Sequence, residues 1–374
     1  MEIQPTTTAT GSGGDVQRTI AVDLLPSGKR RSLPDDESTL GFGQQFTDHM
    51  FSMKYVEGRG WHDAKICPYS PLVIDPAALV FHYGQEIFEG LKAYRGEDGH
   101  VYMFRPDKNI ERMNASAKRI CMPPIDERLF MEGMIGLVRA DIEWVPRSPG
   151  TSLYIRPTCI ATQAAIGVRA SSEYLFYIIL SPSGPYFASG FSPIKILVED
   201  SKARATPGGV GDAKAGGNYA ASLVATKNAK EKGYAQLLWL DAARHEYIEE
   251  AGTMNVFFVI NGTLVTPPLN GSILAGITRD SVIQIARDLG MLVDERPVSI
   301  HEIVDAWRDG GLDEAFGTGT AAVIIPIGEL CFKDTYVTIN DGKPGRIARR
   351  LYDELAGIQY GTKPDMHGWR VTVT

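Results

Sequence analysis

The apolar positions of this chain change period along its length, and each change marks an element. Residues 19–25 and 45–56 alternate or cluster apolar side chains and predict strands. Glu57-Gly58-Arg59-Gly60 predicts a hairpin turn after the second of them. Gly90 to Arg105 predicts a further hairpin that turns at Gly96-Glu97-Asp98-Gly99. The period then shifts to that of a helix. Pro106 suits its first turn, and Ile110, Met113, Ala117 and Ile120 fall on one face. A second helix is predicted from near Asp126, with Leu129, Gly133, Leu137 and Val138 turned inward. Strands near 152–158 and 174–181 complete a first half that reads as α+β.

Ser181 to Gly190 is rich in Ser, Pro and Gly and breaks both periods, so it predicts a link between two domains. The expected division is 19–181, a joining loop over 182–193, and 194–374. Ile194 to Val198 resumes a strand, and Tyr219 to Lys232 predicts a helix ended by Gly233. Asn255–Ile260 and Thr263–Thr266 flank Asn261-Gly262, which predicts a hairpin with a type I′ turn. Thr278 to Leu289 predicts a helix stopped by Gly290. Strands near 292–297 and 314–317 and a helix near 344–356 follow.

Composition narrows the function classes. An apolar share of 44% and a charged share of 22% over 374 residues describe a globular chain with a large core. A net charge of −7 argues against general nucleic-acid binding. No segment is long and apolar enough to predict a membrane span. Residues 1–18 are rich in Thr and Gly and lack an apolar signal core, so a disordered tail is expected there. Cys67, Cys121, Cys159 and Cys331 are too scattered for a zinc knuckle or a disulfide framework and read as thiols in a reducing cytoplasm. The histidines form no H-E-x-x-H, so no metal site is expected.

The most informative stretch is Gly208-Gly209-Val210-Gly211-Asp212-Ala213-Lys214-Ala215-Gly216-Gly217-Asn218-Tyr219, in which five glycines bracket one lysine. Glycine lets the backbone approach other groups closely on both sides. An amine stripped of its water in such a pocket becomes a nucleophile and a base. A P-loop is excluded, because that motif needs Gly before the lysine and Ser or Thr after it, where Ala213 and Ala215 stand. Four further segments carry candidate chemistry. Glu249-Glu250-Ala251-Gly252-Thr253-Met254-Asn255 offers a carboxylate that could accept a bond from a ring N–H. Gly276-Ile277-Thr278 opens a helix, where free amides attract a phosphate. Phe316-Gly317-Thr318-Gly319-Thr320-Ala321-Ala322 is a small-residue turn rich in N–H donors. Arg112 lies on the helix after Pro106. Each taken singly has an ordinary reading as a capped helix, a tight turn or a solvated charge.

In this order and spacing, the segments resemble the class IV (fold type IV) pyridoxal-phosphate aminotransferases, and more narrowly the branched-chain amino acid aminotransferases. The resemblance runs from about Phe42 to Trp369. It includes Phe46-Thr47-Asp48-His49-Met50, Phe88-Glu89-Gly90-Leu91-Lys92-Ala93-Tyr94 and Ser152-Leu153-Tyr154-Ile155-Arg156-Pro157 besides the lysine and glutamate segments. It implies a small N-terminal α/β domain, a larger C-terminal α/β domain with a barrel-like sheet, and a homodimer whose sites borrow a loop from the partner. The implied reaction moves the amino group of leucine, isoleucine or valine to 2-oxoglutarate, giving glutamate.

The resemblance also implies roles. Lys214 would be the Schiff-base lysine and proton shuttle, Tyr219 the partner of the cofactor's phenolic oxygen, and Glu250 the partner of its pyridine nitrogen. Arg112, the Ile277 and Thr278 amides and Thr320 would hold the phosphate. Phe42, Tyr83, Tyr154 and Tyr186 would wall the side-chain pocket. Thr253 and the Thr320-Ala321 turn would meet the substrate, with the turn amides on its α-carboxylate, and Arg156 would receive glutamate's second carboxylate. An anionic Glu250 would keep the ring nitrogen protonated, which draws electrons from the substrate's Cα.

Two positions depart from relatives. Ala322 and Ile325 stand where mammalian relatives carry a redox C-x-x-C, so thiol regulation is not expected. Leu274-Ala275-Gly276 lacks the proline common in the phosphate turn. Within the fold, the D-amino-acid aminotransferases and aminodeoxychorismate lyases are the alternatives. They generally lack the Tyr154-x-Arg156 pattern beside Thr253-Met254-Asn255.

Overall fold

A computed structural model of the chain describes residues 19–184 and 191–374. The expected tail at 1–18 and Tyr186 lie outside the described residues.

Two mixed sheets of nine strands each carry the fold. The first runs, edge to edge, through Ala21–Val22, Gly60–Pro68, His49–Val56, Glu173–Ser183, Ser152–Ala161, Leu91–Arg95, Val101–Phe104 and Arg370–Thr372, with Glu86–Phe88 paired on Ser152–Ala161. Two helices cover one face. Pro106–Arg119 starts with proline at its first turn and buries Ile110, Met113 and Ala117. Glu127–Ala140 is capped by Asp126, whose side chain accepts from the Leu129 amide at 3.0 Å. Phe130, Leu137 and Phe176 are among the fully buried side chains of the resulting core.

The second, barrel-like sheet runs through Ile248–Ala251, Gln236–Leu240, Ile194–Glu199, Val323–Phe332, Leu312–Gly319, Asn255–Ile260, Thr263–Thr266 and Val293–Glu295, with Thr335–Thr338 on Val323–Phe332. The hairpin at Asn261-Gly262 forms as predicted, with φ of 47° and 75°, the left-handed pair that a type I′ turn requires. Helices Gly216–Glu231, Ile277–Asp288, Ile300–Arg308 and Arg346–Gln359 pack around it.

Several boundaries differ from expectation. The predicted strand at 19–25 shrinks to Ala21–Val22, an exposed edge pairing only with Gly60–Pro68. The strand Glu173–Ser183 runs two residues into the expected joining loop, because Ser152 and Leu153 continue its ladder opposite Ser183 and Pro182. The last strand, Arg370–Thr372, returns to the first sheet beside Val101–Phe104 and ties the chain end to the opposite half.

Candidate active site

A cavity of about 680 Å³ opens between the sheets, and Lys214, Glu250 and Arg112 all line it. The lysine is placed from both sides. Its amide donates to the Ser116 hydroxyl at 2.9 Å, and its carbonyl accepts from the Phe88 amide at 3.0 Å. The glycines permit this approach: a Cβ on Gly216 would strike the Glu86 carboxylate, and one on Gly211 would strike the Ser272 carbonyl. Helix Gly216–Glu231 begins there and brings Tyr219 one turn round, so that Lys214 Nζ donates to its hydroxyl at 2.8 Å. The amine also sits 4.8 Å from the centre of the Phe88 ring.

Glu250 lies on the short strand Ile248–Ala251, where successive side chains point to opposite faces. This alternation separates the two acids. Glu250 enters the cavity, whereas Glu249 accepts from the Ser272 hydroxyl. Burial pushes the Glu250 carboxyl up to about 7, against the pull of Arg204, whose guanidinium is 2.5 Å away. Asn255 Nδ2 donates to its other oxygen at 3.3 Å.

At the opposite end, Arg112 grips the buried Glu89 carboxylate with Nε at 2.7 Å and Nη2 at 2.8 Å, and reaches the Ala275 carbonyl with Nη1 at 3.0 Å. Burial acts to raise Glu89, but Arg112's charge and hydrogen bonds outweigh it and hold the carboxyl below its ordinary range. Helix Ile277–Asp288 starts here at Gly276, which makes no side-chain cap bond, so its first amides face the cavity. A Cβ on Gly276 would collide with the Asn255 amide oxygen. Thr318 Oγ1 is buried and has no hydrogen-bond partner among the described residues. A cation, free helix amides, threonine hydroxyls and an orphaned buried donor fit a phosphate. Together with a carboxylate and an amine across the same cavity, this donor set fits pyridoxal phosphate.

The remaining residues form a side wall. Phe42 meets Tyr154 edge-on at 4.9 Å. Arg156 donates to the Tyr154 hydroxyl at 3.0 Å and lies over Phe88 at 4.7 Å, with its buried Nε unpartnered. Thr253, Thr320 and Ala321 line the cavity, as do Ile277 and Thr278. Tyr83 does not. It ends the short helix Leu79–Tyr83, is 42% exposed, and donates its hydroxyl to the Ile166 carbonyl, on the surface of this chain.

Phe88, Glu89, Arg204 and Thr318 were given no role by sequence reasoning. Phe88, Glu89 and Thr318 stand inside motifs already singled out, so the motifs themselves were the signal. Arg204 stands in a polar stretch with no local pattern, and only the fold brings it to Glu250.

Known proteins are similar to this chain over most of its length. The profile of the family described as amino-transferase class IV matches residues 86–330. Branched-chain-amino-acid aminotransferase 2 of Bacillus subtilis (strain 168) is 53% identical over 357 residues, covering 96% of this chain and 98% of its own. The solved branched-chain amino acid aminotransferase from Escherichia coli superposes with a TM-score of 0.71 at 28% identity, over 87% of this chain and 99% of that one. The branched-chain amino acid aminotransferase from Thermobaculum terrenum, solved in its PLP-bound holo-form, gives 0.70 at 27% identity over 88% and 100%.

Proposed function

The chain belongs to the amino-transferase class IV family, and on that premise we propose that its cleft moves the amino group of leucine, isoleucine or valine to 2-oxoglutarate, yielding branched-chain 2-oxo acids and glutamate. The observation that carries the reading is one cavity lined by an amine, a carboxylate tuned near neutrality and an anion-binding end.

Pyridoxal 5′-phosphate, when bound, supplies the aldehyde that takes up the amino group and the ring that spreads the electrons left at Cα. The chain does the rest. Arg112, the Ile277 and Thr278 amides and Thr320 would bind the phosphate. Glu250, beside Arg204 and tuned near neutrality, would accept a hydrogen bond from the ring N–H, whose positive charge favours its ionised form. Tyr219 holds the Lys214 amine at 2.8 Å and hydrogen-bonds the ring oxygen. Lys214 is the covalent anchor and then the base that moves a proton at the substrate's Cα. Phe42 and Tyr154 give the apolar wall that an aliphatic side chain needs, with Phe88 beside them. Thr253 meets the substrate, and the Thr320-Ala321 turn offers amides to its α-carboxylate. Arg156, over that wall, meets the second carboxylate when glutamate enters.

The same reading takes the working form as a homodimer. Its support is the exposed apolar side chains Phe81, Tyr83, Ile166 and Val168, which sit on two segments held together by the Ala78–Ala164 bridge and the Tyr83–Ile166 bond, a surface suited to a second copy. It takes 19–181 and 194–374 as the two domains, which largely separate cores support. A cytoplasmic location accords with four free thiols.

Borohydride reduction of the loaded enzyme followed by peptide mapping is expected to leave the pyridoxyl group on Lys214; a label on any other lysine rejects the assignment. Steady-state rates with a panel of amino donors and 2-oxoglutarate test the substrate class.

A further inference from the structure

The turn Thr320-Ala321-Ala322 joins strands Leu312–Gly319 and Val323–Phe332 and separates two spaces. Ala321 and Ala322 line the large cavity on one side and a smaller one of about 140 Å³ on the other. Packing behind the turn is therefore incomplete. The turn is also strained, because Val323, a β-branched residue, holds a φ of 60° immediately after it. Something must hold this backbone in place.

Lys92 is positioned to do so. It lies on strand Leu91–Arg95 of the first sheet, opposite Tyr154 in register. Leu91 and Ala93 point into the first core, so Lys92 and Tyr94 face the second sheet. Lys92 is 6% exposed, and its Nζ donates to the Ala321 carbonyl at 2.8 Å. Burial pushes its ammonium down to about 8, and no carboxylate offsets that loss. A buried lysine without a counter-ion is costly to keep. It is not part of the cofactor cradle or the side-chain wall. What it does touch is the backbone of the one turn assigned to the substrate.

We propose that Lys92 is a positioning residue: bonded to the Ala321 carbonyl from behind, it fixes the Thr320-Ala321 turn in the geometry that receives the α-carboxylate of every substrate. The inference rests on the reading of that turn given above. Lys92 thus differs from Arg156. The first serves the carboxylate common to all substrates, and the second serves the carboxylate only glutamate and 2-oxoglutarate carry at the far end.

The test uses the loaded enzyme and three proteins: wild type, Lys92→Met and Lys92→Arg. Dissociation constants of 4-methylvalerate and of its amide, 4-methylvaleramide, are read from the change in cofactor absorbance, beside KM and kcat for leucine and glutamate. Losing a charged hydrogen bond corresponds to roughly a tenfold effect or more. Lys92→Met is expected to weaken the acid about tenfold, leave the amide unchanged, and raise KM for leucine and glutamate alike while the cofactor spectrum stays that of wild type. Lys92→Arg, which keeps a cationic donor, recovers most of the loss. If wild type binds acid and amide equally, the reading of the turn falls and the proposal with it. If wild type prefers the acid and Lys92→Met prefers it as strongly, the proposal alone is overturned. Should Lys92→Met fail to load cofactor, Lys92→Arg decides: wild-type acid preference in that variant supports the clamp, and loss of it despite a wild-type spectrum overturns it.

Discussion

Glu250→Gln in the cofactor-free protein gives a sharp test of the electrostatics. Burial raises the Glu250 carboxyl from 4.5 to about 7 even with Arg204 beside it. Between those values the unfolded chain has released its proton and the folded chain still holds one. Stability therefore falls as pH rises across the interval. A rise of that size, at about 1.4 kcal/mol per unit, makes the total close to 3 kcal/mol, and full burial leaves no solvent screening to discount. Glutamine cannot titrate, so the variant lacks this slope. Its absolute stability also changes, because Arg204 loses its partner, but that offset is constant while Arg204 stays charged. The informative quantity is the difference in slope.

Urea unfolding followed by tryptophan fluorescence, at one protein concentration and at pH 5, 6, 7 and 8, measures it. Wild type is expected to lose about 2 to 3 kcal/mol more than Glu250→Gln across that range. Glu249 is also pushed up by burial and titrates in both proteins, so its contribution cancels except for its repulsion with Glu250, which belongs to the difference measured. Loading wild type with pyridoxal phosphate is expected to flatten its slope, since a protonated ring nitrogen adds a second cation against the carboxylate. Parallel wild-type and variant curves would refute the reasoning, because Glu250 would then already be ionised at pH 5.

Arg112→Met leaves the buried Glu89 without its bidentate partner and is expected to cost about 3 to 5 kcal/mol in urea unfolding at pH 7. Because Glu89 is held below its ordinary range, the stability it contributes is present above pH 4.5 and fades as pH falls through its folded value, so the gap from wild type narrows in acid. The same variant is expected to release its cofactor on dilution, followed by absorbance. Arg156→Ala is expected to lower kcat/KM for glutamate at least about tenfold more than for leucine, since only glutamate brings a second carboxylate to a charged donor; equal losses would count against it.

Local punctuation made the centre of the site legible. Lys214 stood out because glycines crowd it, and the structure shows the two collisions those glycines avoid, with Glu86 and the Ser272 carbonyl. Asn261-Gly262 announced its turn because few residues tolerate two positive φ values in succession. The strands Gln236–Leu240 and Val323–Phe332 went unread because they are buried on both faces, and a continuous apolar run carries no period. Helix Ile300–Arg308 did carry a signal: Ser299 caps it, accepting from the Glu302 amide at 3.0 Å. Arg204 could not be found locally, because its partnership with Glu250 is made by folding. Tyr83 shows the converse limit. Its ring lies on the surface of this chain, so what it meets depends on contacts beyond one chain.

The two buried pairs at the ends of the cleft explain why one acid is tuned and the other is fixed. Glu89 and Glu250 are the same residue type, both nearly inaccessible, each held by one arginine. Their proton affinities move in opposite directions. The cause lies in donor count and neighbouring charge. Glu89 receives two bonds from Arg112, one from Asn109 and one from the Gly90 amide, which occupy both oxygens. Glu250 meets Arg204 on one oxygen and a longer bond from Asn255 on the other, with a weaker backbone bond from Leu274, while the acid Glu249 next in sequence adds repulsion. A saturated carboxylate neither gains nor loses a proton when the cleft fills, and it holds Arg112 in place. An undersaturated one sits near the pH of its surroundings and responds to whatever cation arrives. The phosphate end needs a rigid anchor and the ring end needs an acid that can change state, and the chain obtains both from glutamate by varying the donors and charges that surround it.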